Sequence, residues 1–126
     1  LFSPWVDLGN PDRGKPPHGE VMISLPWMQE CARLYLAGRD ARDPLASPIQ
    51  GNLRGLPPTL IQAGQDEILL QDSRRLHAAL VAANVPAQLA EYPRRWHVFQ
   101  ANAGVLADAD RALESAAGFL RQRWAA

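Results

Sequence analysis

The sequence predicts an α/β fold of three parallel strands alternating with helices, and three observations carry that prediction. Apolar runs of strand length stand at residues 1–8, 58–63 and 87–92, separated by segments of helical periodicity. Each run stops at turn formers, respectively Gly9-Asn10-Pro11, Gly64 and Pro93. The helical segments between them are long enough to act as the crossovers that parallel pairing requires. Such crossovers are right-handed, so the three strands should lie side by side.

Taken in order, Leu1 to Leu8 is a strand-like opening that reads as a fold entered partway. Residues 9–20 are turn formers and charges, a surface loop. Residues 25–37 read as a helix with Pro26 tolerated in its first turn and Gly38 as C-cap. Trp27, Cys31, Leu34 and Tyr35 fall on one apolar stripe of that helix. The prolines at 44, 48, 57 and 58 make residues 39–58 an irregular connection. A compact strand over 58–63 leads into a helix from about Asp72, with Ser73, Leu76, Leu80 and Ala83 facing inward. That helix should stop at Asn84, ahead of Pro86. Ala87–Tyr92 is a second compact strand. The last helix runs from about Asp108 to Trp124 on a stripe of Leu113, Ala116, Ala117, Leu120 and Trp124. Acidic residues in its first turn and arginines in its last suit the helix dipole.

Length and composition bound the function. At 126 residues, 47% of them hydrophobic and 21% charged, the chain is one ordinary globular domain at most. Thirteen basic residues balance thirteen acidic ones, which gives no footprint for nucleic acid. No apolar stretch approaches the ~20 residues of a membrane-spanning helix. The single cysteine, Cys31, excludes an internal disulfide and argues against a Cys-ligated zinc. The first residues show no signal peptide, which places the expectation in the cytoplasm.

In a parallel sheet, chemistry gathers at the carboxyl ends of the strands. Two turns qualify: Gly64-Gln65-Asp66-Glu67 after the strand 58–63, and Arg94-Arg95-Trp96-His97 after the strand 87–92. Asp66 and His97 would then share one edge. A carboxylate there could fix the imidazole tautomer and stabilise the imidazolium formed when the ring takes a proton. Asp66 is equally well placed to cap the following helix, and His97 to pack with Trp96, Val98 and Phe99. Glu67 is a substitute acid beside Asp66. His18 reads as solvated and His77 as a boundary residue of a helix.

SPWVDL at 3–8, DPLASP at 43–48, GLPPTLIQAGQDEILLQDSRRL at 55–76 and YPRRWHVFQ at 92–100 resemble, in collinear order, the bacterial hormone-sensitive-lipase-like esterases of the α/β-hydrolase fold. The resemblance implies that residues 1–126 form the C-terminal portion of such a domain. Residues 9–37 would contribute to a helical cap, with Trp27, Met28, Leu34 and Tyr35 near the acyl pocket, and residues 38–126 would carry the core. It implies a carboxylic ester substrate, with Asp66 as triad acid and His97 as triad base, and it calls for no metal or cofactor.

The family's remaining parts are missing. None of Ser3, Ser24, Ser47, Ser73 and Ser115 has glycines at both second neighbours, as the G-x-S-x-G nucleophile turn requires. The order in this fold is Ser, acid, His, so nucleophile and oxyanion loop are expected ahead of Leu1. Loss of a triad member costs on the order of 10⁴–10⁶ in turnover, and loss of an oxyanion donor a further ~10²–10³. The chain alone is therefore expected to be inactive. A non-catalytic fragment that associates through the unpaired edge at 1–8 is the competing expectation, and an amidase or peptidase of the same fold is a third.

Overall fold

The computed structural model of the chain describes residues 1–10 and 17–124. Half of the loop expected at 9–20 thus lies outside the described residues. The elements are α1 (Leu25–Leu36), a 3-10 turn (Pro48–Gln50), β1 (Thr59–Gly64), α2 (Leu70–Ala82), β2 (Ala87–Tyr92), a second 3-10 turn (Phe99–Asn102) and α3 (Ala107–Trp124).

β1 and β2 pair in parallel, in register from Thr59 opposite Ala87 to Gly64 opposite Tyr92. Leu60 to Gly64 are all buried, because β1 is covered on both edges. On its other edge lies the opening segment, also parallel. The Leu1 nitrogen donates to the Leu60 carbonyl at 2.7 Å. Gln62 N–H donates to Leu1 O at 2.9 Å and Ser3 N–H to Gln62 O at 2.8 Å. The expected third strand is thus in place but reduced to a single bridge, Phe2 with Gln62. Ser3 leaves the extended region, with φ at 44°, and Pro4 has no N–H to continue a ladder. Beyond them the chain is held by Val6 N–H on the Asp72 carboxylate and Leu8 N–H on Ser47 Oγ.

α2 packs on the sheet as its pattern predicts, with Ser73, Leu76 and Leu80 buried, though it begins at Leu70 rather than Asp72. Leu76 and Leu80 close a core with Val6, Leu53, Ile61 and Val85. Burying a side chain such as that of Ile61 contributes roughly 1.5–3 kcal/mol.

The outer helices depart from their expected stripes. α1 starts on Ser24, whose hydroxyl caps Trp27 N–H, but its buried residue is Met28, packed on Ile68 and Leu69. Trp27, Leu34 and Tyr35 are exposed. Ile68 and Leu69 select the Leu25–Met28 arc, and Trp27 sits about 100° round the helix from its neighbour Met28. In α3 the buried residues are Ala109 and Ala112, against Phe99, while Leu113, Leu120 and Trp124 face outward. Small residues there let the helix axis approach the sheet closely. Among the described residues no helix is long and apolar enough to cross a membrane.

Candidate active site

The carboxyl ends of β1 and β2 stand side by side, and the turns that leave them are latched together. Gln65 N–H donates to the Tyr92 carbonyl and Asp66 N–H to the Arg95 carbonyl, both at 2.9 Å. Gly64 is required at the crossing, since a Cβ there would fall on the Arg95 carbonyl. The second turn is compressed: Arg94 and Val98 take φ of 55° and 50°. A β-branched residue in that region is strained, and such residues concentrate at functional sites.

Between the turns lies a carboxylate–imidazole pair formed by Glu67 and His97. Glu67 is the fully buried member, and His97 keeps about a fifth of its side-chain surface exposed. Glu67 Oε2 accepts from Gly64 N–H at 2.7 Å and from the Ser3 hydroxyl at 2.7 Å. Its Oε1 is buried without a hydrogen-bond partner, as is His97 Nδ1, and the two atoms are 4.0 Å apart. That is ion-pair separation, longer than a hydrogen bond. A side-chain rotation closing about 1 Å would make the bond, a tightening usual when substrate arrives.

Asp66, the acid that the motif resemblance indicates, is half-buried. Its carboxylate carbon lies against Gly19, where an added Cβ would come within 2.7 Å of it. Among the described residues, Glu67 and not Asp66 brings its carboxylate within ion-pair distance of His97. Nor does Asp66 cap α2, whose N-cap is Leu69 with no side-chain bond. The two carboxylates leave the turn differently: Ile68, Leu69 and Leu70, directly behind Glu67, are all buried, which draws Glu67 inward. His18 is exposed and His77 half-buried on α2.

The histidine turn is braced from below. Gln100 donates to Gln62 Oε1 at 3.2 Å, and Gln62 donates to the Ala112 carbonyl at 2.8 Å. Phe99 packs at a tilt against Tyr92, ring centres 4.8 Å apart, and the Tyr92 hydroxyl pKa is pushed up by burial and by the Asp108 charge. Arg95 pairs with Asp108. Burial opposes ionisation of Asp108, but Arg95 and Arg111 outweigh it and hold the carboxyl below its usual range. Among the described residues no group of three His, Cys, Asp or Glu could hold a metal ion.

Parallel strands whose carboxyl ends carry a buried carboxylate and a histidine fit the α/β hydrolases as a class. A family model described as the α/β hydrolase fold matches residues 1–101, and the chain belongs to that family. It is 40% identical over 122 residues to an acetyl-hydrolase of Streptomyces hygroscopicus, covering 95% of this chain and 41% of that protein. It is 34% identical over 123 residues to an esterase of Acinetobacter venetianus, covering 94% and 40%. The crystal structure of EstE5 soaked with ethyl alcohol superposes with a TM-score of 0.93 at 36% identity, over 98% of this chain and 43% of that one. A hormone-sensitive lipase from a metagenome library gives 0.90 at 31% identity, over 97% and 43%. The chain therefore spans about two-fifths of the length of these relatives.

Proposed function

We propose that this chain supplies the acid–base half of a serine ester hydrolase, with His97 as base and Glu67 as the carboxylate that orients it. The observation that carries the proposal is the 4.0 Å approach of Glu67 Oε1 to His97 Nδ1, both atoms buried. Donation of Nδ1–H to Glu67 leaves Nε2 free to take a proton from a serine hydroxyl, and the carboxylate then stabilises the imidazolium. His97 returns the proton to the leaving alcohol, and later takes one from the water that releases the acid.

The attacking serine and the oxyanion donors come from outside these 126 residues. Ser3 is the serine bonded to this pair, but its buried hydroxyl gives its proton to Glu67. The described residues of the segment 9–37 belong to a cap, and the exposed Trp27, Leu34 and Tyr35 line an acyl pocket once the rest of the fold is present. The ester class follows the relatives named acetyl-hydrolase and esterase.

The test is hydrolysis of a short-chain p-nitrophenyl ester by the chain alone and by the chain joined with the polypeptide encoded upstream of Leu1. Activity is expected only in the second case, and His97→Ala abolishes it. Glu67→Gln lowers turnover on the order of 10⁴, as replacement of a triad acid by its amide does, while Asp66→Asn changes it a few-fold. The opposite ranking would return the acid's role to Asp66. Hydrolysis by the chain alone would overturn the claim that the nucleophile lies elsewhere. Silence in both cases would favour a non-catalytic fragment, and a preference for p-nitroanilides would favour an amidase.

A further inference from the structure

We propose that Glu20 is a positioning residue: its carboxylate clasps the cap segment onto the turn 64–67 and so holds that turn in place for His97. The proposal rests on the ester-hydrolase reading above, though not on which acid of the turn partners the histidine.

The two oxygens of Glu20 face different parts of the chain. Oε1 accepts from Met22 N–H at 2.8 Å and from Ile23 N–H at 3.3 Å, which ties it to the stretch leading into α1. Oε2 accepts from Ile68 N–H at 3.3 Å, 48 residues away and directly behind Asp66 and Glu67. Bonds to an ionised carboxylate are stronger than neutral ones. The charge also stands by the start of α2, whose N-cap Leu69 makes no side-chain bond, and a helix start favours a negative neighbour.

The strap around this clasp lies close on the turn. A Cβ on Gly19 would stand 2.6 Å from Asp66 Cβ and 2.7 Å from its Cγ. Swinging the Asp66 carboxylate aside cannot relieve the first contact, because the backbone fixes Cβ. Below, Ile23 and Leu25 pack on the cluster of Met28, Ile68 and Leu69. The two segments therefore meet twice, through apolar side chains and through the Glu20 carboxylate. The same turn is latched to the histidine turn by Asp66 N–H on the Arg95 carbonyl. Glu20 thus starts a chain of contacts that runs from the cap through the acid turn to the base.

The test uses the chain joined with the polypeptide encoded upstream of Leu1. Glu20→Asp is one methylene shorter. It keeps the local bonds two and three residues on, which aspartate makes readily, but cannot span to Ile68. Gly19→Ala leaves Glu20 intact and lifts the strap from the other side. Both variants should speed hydrogen exchange at Ile68 at least about tenfold, while the buried amides of β1 keep their protection. On a short-chain p-nitrophenyl ester both should lower kcat by about tenfold or more, since a misplacement near 1 Å can cost on the order of 10²-fold. KM should change less than about threefold, where a residue that merely shaped the cap would move KM instead.

Exchange at Ile68 that neither variant alters would refute the clasp. Faster exchange with an unchanged kcat, or an effect confined to KM, would refute the positioning role and leave Glu20 a structural residue of the cap. A joined protein with no esterase activity before any substitution would overturn the ester-hydrolase reading, and this role with it. Exchange at Ile68 would then still report whether the clasp forms.

Discussion

Gly64→Ala should break the latch between the two site turns, and the size of the effect follows from the crossing geometry. The new methyl would stand 2.5 Å from the Arg95 carbonyl carbon and 2.8 Å from the Trp96 oxygen, where ordinary contact begins near 3.4 Å. One backbone must retreat by more than about 0.9 Å, since the Arg95 oxygen lies closer still, and that one is the histidine turn, because β1 is buried and paired on both edges. The Asp66 N–H bond to Arg95 O, 2.9 Å at present, would stretch beyond useful length. Overpacking costs about 1–3 kcal/mol and the lost bond about 1 kcal/mol. Against this, alanine restricts the unfolded chain and returns about 0.4–1 kcal/mol. The steric term wins, for a net loss of about 1–3 kcal/mol. Urea unfolding followed by circular dichroism should show a midpoint lower by on the order of 1 M, taking a slope of roughly 1–3 kcal/mol per M. Gly118→Ala is the control. Its methyl meets no atom within 4 Å, and alanine favours a helix interior over glycine, so the change should not destabilise. An unchanged midpoint for Gly64→Ala, or equal damage from Gly118→Ala, would refute the steric argument.

Three further outcomes are expected. Ile61→Ala, at a position with no exposed surface in the main core, should destabilise by about 2–5 kcal/mol in the same unfolding assay. Glu91 on β2 holds a two-bond pair with Arg74 on α2, and chiefly through that bond its carboxyl sits below the usual carboxylate range. A depressed folded pKa stabilises above the unfolded pKa of about 4.3, and the contribution is lost as pH falls through the folded value. Glu91→Gln should therefore cost less than about 1 kcal/mol at neutral pH, because Arg74 is partly exposed, and nothing once the pH falls below Glu91's folded pKa; a persistent difference there would contradict the assignment. Finally, Leu1, Phe2, Leu60, Phe119 and Leu120 line an apolar groove of about 280 Å³ beside the free edge of the opening segment. Sedimentation velocity between micromolar and millimolar concentration should show self-association, weakened by Leu120→Lys; a monomer throughout would count against the exposed edge as a contact surface.

The elements legible in the sequence are those whose pattern is decided locally or by one neighbour. β2 lies where its apolar run ends at Pro93, and α2 presents the face that its periodicity marks, because a single sheet covers it. The stripes of α1 and α3 were misread for a common reason. Both helices carry apolar residues over more of their circumference than this chain covers, so periodicity identified a wide face and packing chose an arc of it. For α1 the choice was made by Ile68 and Leu69, and for α3 by Phe99. Ile68 and Leu69 are far from α1 in sequence, and Phe99 lies in the turn just ahead of α3. The opening strand was shortened by a left-handed serine and a proline, of which only the proline is visible in advance.

The site shows the same division more sharply. Strand-end placement located both turns, with two adjacent carboxylates on the first. Choosing between them depends on which way each side chain leaves the turn, and that is decided by distant bonds. The Arg95 carbonyl fixes the backbone at Asp66, Gly64 N–H and the Ser3 hydroxyl draw the Glu67 carboxylate under the strand end, and Gly19 receives the Asp66 side chain. A carboxylate so enclosed is oriented before any substrate arrives, whereas one against an exposed loop would have to be ordered during reaction. Preorganisation of this kind is where electrostatic catalysis gains most. The physical case for Glu67 therefore lies less in its distance from His97 than in the donors that hold its other oxygen still.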